Sequence, residues 1–252
     1  MPVRLERVED GRIAVVVLSR PEKRNALTME MWGELAEAVE SACGDPQVRV
    51  VMLRGEGGAF SAGDDIGEML SLNGPLEARR FFDAVERGLR SILECPKPVI
   101  AVVEGPAVGG GAEILLAADL AIASRDSVIG FPEARIGLIP PVLATLGVVV
   151  LGHRRARALA LTGALLGAEE ARELGIVSLV ADPGRAWSVA LEVAEMIMKS
   201  PPEALAEAKR LALKAASCQL GLMGEARRVL ERLVLTGEAK ERMRAFLEKR
   251  LD

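Results

Sequence analysis

The stretch PVIAVVEGPAVGGGAEILLAAD, residues 98–119, organises the rest of the sequence. Its first part is rich in Val, Ile and Ala and is bounded by Pro98 and Gly105, which predicts a buried strand. Three consecutive glycines then precede a run that predicts a short buried helix with Glu113 in its first turn. Such a junction leaves backbone N–H groups open to a ligand, and a helix start adds partial positive charge to them. This stretch alone is explained equally well in two ways. It is either a functional site or a structural contact between helix and sheet, in which the glycines allow close packing and Glu113 is solvated.

The composition excludes several classes of protein. Half of the 252 residues are hydrophobic, but only 3% are aromatic and none is Tyr, so base-stacking surfaces would be hard to build. A net charge of −4 also argues against a polyanion binder, and we expect no nucleic-acid partner. Charge or Pro interrupts the apolar runs, and the first residues do not resemble a signal peptide. We therefore expect no membrane partner and a cytoplasmic location.

Cysteine and histidine restrict the chemistry further. Cys43, Cys95 and Cys218 are far apart and show neither a metal-ligand spacing nor a disulfide pattern, which fits a reducing compartment. Because His153 is the single histidine, a zinc site and a Ser-His-Asp triad are both disfavoured. Proton transfer is therefore expected to depend on carboxylates or lysines.

Strand and helix patterns alternate through the first part of the chain, which predicts the α/β class with a largely parallel sheet covered by helices. From about residue 185 only helices are predicted. We therefore expect a catalytic core at residues 1–195 and a helical C-terminal subdomain at residues 196–252. The predicted strands include residues 13–18, 48–53, 98–104 and 176–180.

Two glycine-rich loops are the candidates for chemistry. AFSAGDD, residues 59–65, follows one predicted strand as GPAVGGGAE follows another. If these strands are parallel neighbours, one N–H group from each loop can point at a common oxygen and form an oxyanion hole. Glu113 and Glu133 are nearby in sequence, and two carboxyl groups can hold and move the protons of a water molecule. Taken alone, Glu133 is better explained as a loop acid that pairs with Arg135.

Six motifs in this order resemble the enoyl-CoA hydratase/isomerase, or crotonase, family over about residues 13–249. The motifs are RPEKRNAL at 20–27, AFSAGDDI at 59–66, EGPAVGGGAEILLAAD at 104–119, FPEARIGLIP at 131–140, ALTGALLGAEEARELGIV at 160–177 and RAFLEKR at 244–250.

The resemblance implies a crotonase-like spiral of ββα turns with a helical C-terminal trimerisation subdomain, giving homotrimers or dimers of trimers. It also implies an oxyanion hole made by the N–H groups of Ala62 and Gly110, with Glu113 and Glu133 as the catalytic glutamates. The substrate would be an acyl-CoA thioester, with no metal or other cofactor, since coenzyme A is part of the substrate. By the same resemblance, the substrate-binding positions are Lys23, Arg24, Ala26, Ala59, Asp64, Asp65, Ile66 and Leu138.

Because both glutamates are present, we expect a hydratase that adds water across the 2,3 double bond of a 2-enoyl-CoA. The alternatives are another crotonase-type reaction, such as double-bond isomerisation or acyl-CoA hydrolysis, and a non-catalytic acyl-CoA-binding member. Lys23 and Arg24 are equally explained as solvated loop charges. The sequence departs from the family at Asp64, where a small residue is common, and at residues 141–144, where PVLA replaces a glycine-rich segment.

Overall fold

The computed structural model describes residues 1–249, apart from the side chain of Ser217. Within that part of the chain, nine strands form two sheets, and the helices lie around them. The strands are β1 (Val3–Val8), β2 (Ile13–Leu18), β3 (Val50–Gly55), β4 (Val99–Val103), β5 (Ala107–Val108), β6 (Leu120–Ser124), β7 (Val128–Gly130), β8 (Leu165–Gly167) and β9 (Leu179–Ala181).

The helices begin after β2 and dominate the C-terminal part. They are α1 (Met29–Gly44), α2 (Ile66–Ser71), α3 (Pro75–Glu94), α4 (Gly110–Ala117), α5 (Pro141–Ala144), α6 (Gly147–Leu151), α7 (His153–Thr162), α8 (Ala168–Glu173), α9 (Ala186–Met198), α10 (Pro202–Ala215), α11 (Ser217–Gly221), α12 (Met223–Leu233) and α13 (Gly237–Leu247). Short 3-10 turns occupy Pro21–Lys23 and Glu133–Ile136.

The larger sheet has the strand order β1-β2-β3-β4-β6-β9. β1 and β2 form an antiparallel hairpin, and every later pair in this sheet is parallel. β2 and β4 are buried along their whole length, as expected for parallel strands covered on both faces. α1 and α3 cover one face, and α9 covers the other with its small Ala side chains. The predicted α/β class with a largely parallel sheet is confirmed.

The prediction of unpaired cysteines is wrong for two of the three. Cys43, near the end of α1, and Cys95, directly after α3, form a disulfide with a Cα–Cα distance of 5.7 Å. The two helices lie side by side in the fold, so residues 52 positions apart in sequence become neighbours. Cys218 is free and exposed.

The C-terminal helix α13 packs against α2 and against the 3-10 turn that begins at Glu133. Lys240 on α13 donates hydrogen bonds to the backbone carbonyls of Met69, Leu70 and Leu72 at 2.7–2.9 Å. These carbonyls are at the C-terminal end of α2, where a cation is favoured. The contact therefore holds α13 against α2.

Several predicted element boundaries need correction. The last strand, expected at 176–180, is formed by Leu179–Ala181. The single helix expected at 219–235 is divided into α11 and α12, and the predicted helix end at residue 250 lies outside the described residues. The division between residues 195 and 196 falls inside α9 and stays a prediction. Among the described residues, no helix combines the length and the apolar character that a bilayer crossing requires.

Candidate active site

The two glycine-rich loops lie side by side, because β3 and β4 are parallel neighbours and both loops leave the same edge of the sheet. Phe60 and Ser61 donate their backbone N–H groups to Pro106 O at 2.9 and 3.1 Å. The Val108 N–H in turn donates to Ser61 O at 2.9 Å. Gly63 has a φ of +86°, and a methyl group on its Cα would lie only 3.1 Å from Gly110 N. The predicted convergence of these loops is therefore present.

The free backbone N–H group in the first loop lies two residues after the predicted one. The Ala62 N–H donates to Arg24 O at 2.9 Å, so it is not free for a ligand, and its expected role is wrong in this structure. Within residues 1–249, neither the Asp64 N–H nor the Gly110 N–H has a hydrogen-bond acceptor. Gly110 begins α4, where backbone donors have no partner inside the helix. The free donors at the junction are thus those of Asp64 and Gly110.

Asn25, which is not among the predicted site residues, holds the first loop in place. Its side chain is fully buried, and Nδ2 donates to Glu56 O at 2.9 Å and to Ala59 O at 2.8 Å. Oδ1 accepts from the Arg20 N–H at 2.8 Å. Asn25 also has a φ of +56°, a conformation that asparagine tolerates better than most residues. Its place between two predicted binding residues was the signal available in the sequence.

A cavity of about 340 Å³ opens where the two loops meet. Its wall is largely apolar, but it contains two carboxyl groups, from Asp64 and Glu133, and two guanidinium groups. The lining residues are Arg24, Ala62, Gly63, Asp64, Ile66, Met69, Pro106, Val108, Gly109, Gly110, Pro132, Glu133, Arg135, Ile136, Leu138, Leu165 and Phe246. An apolar wall with a few convergent polar groups is typical of a small-molecule site.

Glu133 lies at the start of a 3-10 turn and faces this cavity. Its Oε2 atom is buried and has no hydrogen-bond partner in the part of the chain that is described. Desolvation, together with the charge of Asp64, raises the pKa of Glu133 to about 8. The group therefore holds a proton at neutral pH. The alternative explanation, a pairing of Glu133 with Arg135, is not supported, since no ion pair links these two described residues.

Glu113 has a different environment. It is 2% exposed in the first turn of α4, and its Oε1 accepts the Val142 N–H at 2.6 Å and the Leu143 N–H at 3.3 Å. Both donors belong to the first turn of α5, which Pro141 begins. Burial and the neighbouring Glu133 raise the pKa of Glu113 well above its usual range, while the two N–H groups favour the ionised form. The unusual PVLA segment thus supplies donors to this carboxyl group.

Asp64 brings a third carboxyl group to the site. Its Oδ1 accepts the indole N–H of the fully buried Trp32 at 2.8 Å. A methyl group on the Gly110 Cα would lie 3.3 Å from the same oxygen, so this carboxyl lies against the start of α4. Burial, more than the charges of Glu68 and Asp65, raises the pKa of Asp64 to about 6.

Of the other predicted binding residues, Arg24, Ile66 and Leu138 line the cavity, whereas Lys23, Ala26, Ala59 and Asp65 do not. Lys23 is exposed, and the substrate contacts expected of these four residues stay predictions. Asp65 has a structural contact: its Oδ2 pairs with Arg20 Nη1 at 2.6 Å and its Oδ1 caps α2.

The described residues contain no group of three His, Cys, Asp or Glu side chains arranged to share a metal ion.

Comparison with known proteins gives a consistent result along the whole chain. The model of the enoyl-CoA hydratase/isomerase family matches residues 9–252. A short-chain-enoyl-CoA hydratase of Clostridium acetobutylicum is 33% identical over 246 residues, covering 96% of this chain and 94% of that protein. An enoyl-CoA hydratase of Mycobacterium tuberculosis is 34% identical over 260 residues, and the match covers 95% of this chain and 92% of that protein. The crystal structure of an enoyl-CoA hydratase from Mycobacterium avium subsp. paratuberculosis superposes with a TM-score of 0.86 at 30% identity, covering 99% and 96%.

Proposed function

Since the chain belongs to the enoyl-CoA hydratase/isomerase family and has the crotonase fold, we propose that it is an enoyl-CoA hydratase. The substrate is a 2-enoyl-CoA thioester, and the product is the corresponding 3-hydroxyacyl-CoA. The observation that carries this proposal is the cavity between the two loops. There, a buried and unpartnered oxygen of Glu133 lies close to two backbone donors without acceptors in the described chain.

The thioester carbonyl oxygen binds to the N–H groups of Asp64 and Gly110. These two donors replace the pair first expected, because the Ala62 N–H is already bonded to Arg24 O. As water adds to C3, the electrons of the double bond move through C2 onto the carbonyl oxygen, which becomes enolate-like. Two fixed N–H groups stabilise that charge without reorganising, and losing one donor typically costs about 10²–10³ in rate.

The glutamates divide the proton transfers between them. Glu113 acts in its ionised form, which the two α5 N–H groups stabilise against the effect of burial, and takes a proton from water as the hydroxyl oxygen bonds to C3. Glu133, whose proton is retained at neutral pH, gives that proton to C2. One hydrogen and one hydroxyl group are thereby added, and proton exchange with solvent restores both carboxyl groups. Two acids whose surroundings differ in this way are typical of acid–base pairs.

Product analysis with crotonyl-CoA in ¹⁸O-labelled water tests this function. We expect 3-hydroxybutyryl-CoA with the label on C3, and loss of this product in both Glu113→Gln and Glu133→Gln. Each amide keeps the shape of the side chain, and Glu113→Gln keeps an oxygen for the α5 donors. Glu192→Gln, on the exposed surface of α9, is the matched control and should retain full activity. Full turnover in either site variant would refute the assignment.

Double-bond isomerisation is the second candidate, and one observation favours it. Of the two glutamates, only Glu133 lines the cavity, whereas the Oε1 of Glu113 is engaged by α5. One carboxyl group is sufficient to move a proton between two carbons of an acyl chain. Glu113→Gln separates the reactions, because an isomerase would convert 3-enoyl-CoA to 2-enoyl-CoA in this variant, whereas a hydratase would be inactive.

We further propose that Arg24, at the cavity mouth, and the exposed Lys23 contact the phosphates of coenzyme A. We also propose a homotrimer or a dimer of trimers, which would cover apolar side chains exposed on the C-terminal helices, such as Met196, Leu211 and Leu222. Multi-angle light scattering measures the mass directly, and a monomer would contradict this part of the proposal.

A further inference from the structure

Asp64 has a carboxyl group that the proposed hydration does not use, although its N–H group does take part. The side chain lies in the same cavity as Glu133. The two acids approach adjacent residues of one backbone turn: methyl groups built on Gly109 and Gly110 would lie 3.6 Å from Glu133 Oε1 and 3.3 Å from Asp64 Oδ1. The start of α4 thus lies close to both carboxyl groups.

A hydrogen bond from Trp32 fixes the orientation of the Asp64 carboxyl group. Trp32 is fully buried in α1, and its indole N–H donates to Oδ1 at 2.8 Å. This hydrogen bond favours the ionised carboxylate, because an N–H donor interacts more strongly with a charged acceptor than with a neutral one. At Glu133 the backbone N–H of the same residue favours the ionised form to a smaller extent than burial opposes it, and Oε2 is buried without a donor among the described residues. A single negative charge shared between these acids is therefore more stable on Asp64.

We propose that Asp64 is a positioning residue for the reacting proton: its negative charge keeps that proton on Glu133 in the resting enzyme. This inference rests on the proposed function, in which Glu133 must be protonated because it donates the proton to C2. Two negative charges in one apolar cavity would repel each other strongly, whereas one charge and one proton are compatible.

Other charged groups near the two acids also contribute to the electrostatic potential at Glu133. They are Glu113 on α4, Asp65 and Glu68 around α2, Arg20 and Arg24 in the loop after β2, and Arg135 in the 3-10 turn. Asp65 is neutralised by its ion pair with Arg20. Arg24 and Arg135 line the cavity, but neither pairs with Asp64 or Glu133 among the described residues. Neither arginine therefore neutralises Asp64 or Glu133 by a direct ion pair.

Titration of the Glu133 carboxyl carbon tests the inference without requiring turnover. In protein labelled with ¹³C at the glutamate side-chain carboxyl, the Glu133 signal is identified by its loss in Glu133→Gln. In Asp64→Asn the amide oxygen still accepts from Trp32, but the charge is gone. We expect the Glu133 midpoint to fall by about one to two pH units, the typical effect of removing one nearby like charge.

Glu68→Gln is the matched control. It removes one negative charge from α2, next to Asp64, while the amide oxygen can still accept the Met29 N–H that Glu68 Oε2 binds at 2.9 Å. Glu68 does not line the cavity, and we expect the Glu133 midpoint to stay in place. Asp64→Ala provides a second test should the asparagine variant fail to fold, and must move the midpoint in the same direction.

An unchanged Glu133 midpoint in a folded Asp64 variant would overturn the inference, as would an equal fall in Glu68→Gln. For an active enzyme, the alkaline limb of kcat/KM against pH should move down with the carbon signal. Absence of hydration in the wild-type protein would refute the proposed function but would leave the carbon titration interpretable. The two failures are therefore distinguishable.

Discussion

Replacing Gly63 with Ala tests whether close packing of the two loops aligns the proposed oxyanion hole. The new methyl group would lie 2.7 Å from Val108 O and 3.1 Å from Gly110 N, both of which are backbone atoms. Neither can rotate away as a side chain would, so the loops must separate. Gly63 also has a φ of +86°, which L side chains rarely adopt.

Gly58→Ala separates these two effects. Gly58 is in the same loop and has a φ of +81°, but a methyl group there meets no atom within 4 Å. Each variant should lose about 1–2 kcal/mol of stability from the left-handed backbone. Gly63→Ala should lose about 1–3 kcal/mol more from overpacking. Urea unfolding monitored by circular dichroism measures both losses.

The rate of hydration should distinguish the variants more clearly than stability does. If the Asp64 and Gly110 donors no longer point at one oxygen, kcat should fall by about 10²–10³ in Gly63→Ala, the cost of one oxyanion donor. Gly58→Ala should retain turnover close to the wild type. If the two folded variants are equally active, close contact between the loops is not what aligns the donors.

Three further predictions concern stability. Asn25→Ala removes three hydrogen bonds, including one to the buried Ala59 carbonyl, and should cost about 2–4 kcal/mol in urea unfolding; a loss below about 0.5 kcal/mol would contradict its proposed structural role. Glu133→Gln should stabilise the fold at pH 9 by up to about 5 kcal/mol, about 1.4 kcal/mol for each pH unit, because the folded state binds its proton up to about pH 8 whereas the unfolded chain releases it near 4.5. This gain should grow between those values and vanish below pH 4.5, and a pH-independent difference would refute the electrostatic cause. Reduction of the Cys43–Cys95 disulfide should cost about 2–4 kcal/mol, and Cys95→Ser, which lacks it, should be insensitive to dithiothreitol.

The sheet and the meeting of the two loops could be predicted because their signals are local. Aliphatic runs such as residues 98–104 define buried strands, and glycines mark the places where the chain turns and another backbone approaches. Parallel neighbouring strands then place both loops at one edge of the sheet. Glu113 and Glu133 are candidates from their positions near the two loops, and the family resemblance assigns them as the catalytic glutamates.

The errors share a different cause, since each depends on contacts between distant parts of the chain. Whether the Ala62 or the Asp64 N–H is free is decided by Arg24 O, which another loop brings to Ala62. The disulfide depends on the packing of α1 against α3, which the cysteine spacing does not reveal. Asn25 is one polar residue in a polar loop, and only its burial indicates its three hydrogen bonds.

The position of α5 explains why two glutamates in one apolar site need not behave alike. Pro141 has no N–H group and fixes the first turn, so the next two N–H groups point at Glu113. Those donors oppose the rise in the pKa of Glu113 that burial and the neighbouring Glu133 cause, whereas the Oε2 of Glu133 lacks a donor among the described residues. Addition of water to a double bond needs one charged base and one protonated acid, and the two α5 donors favour Glu113 as the base. The segment that departs from the usual glycine-rich sequence is therefore compatible with acid–base chemistry and supports it.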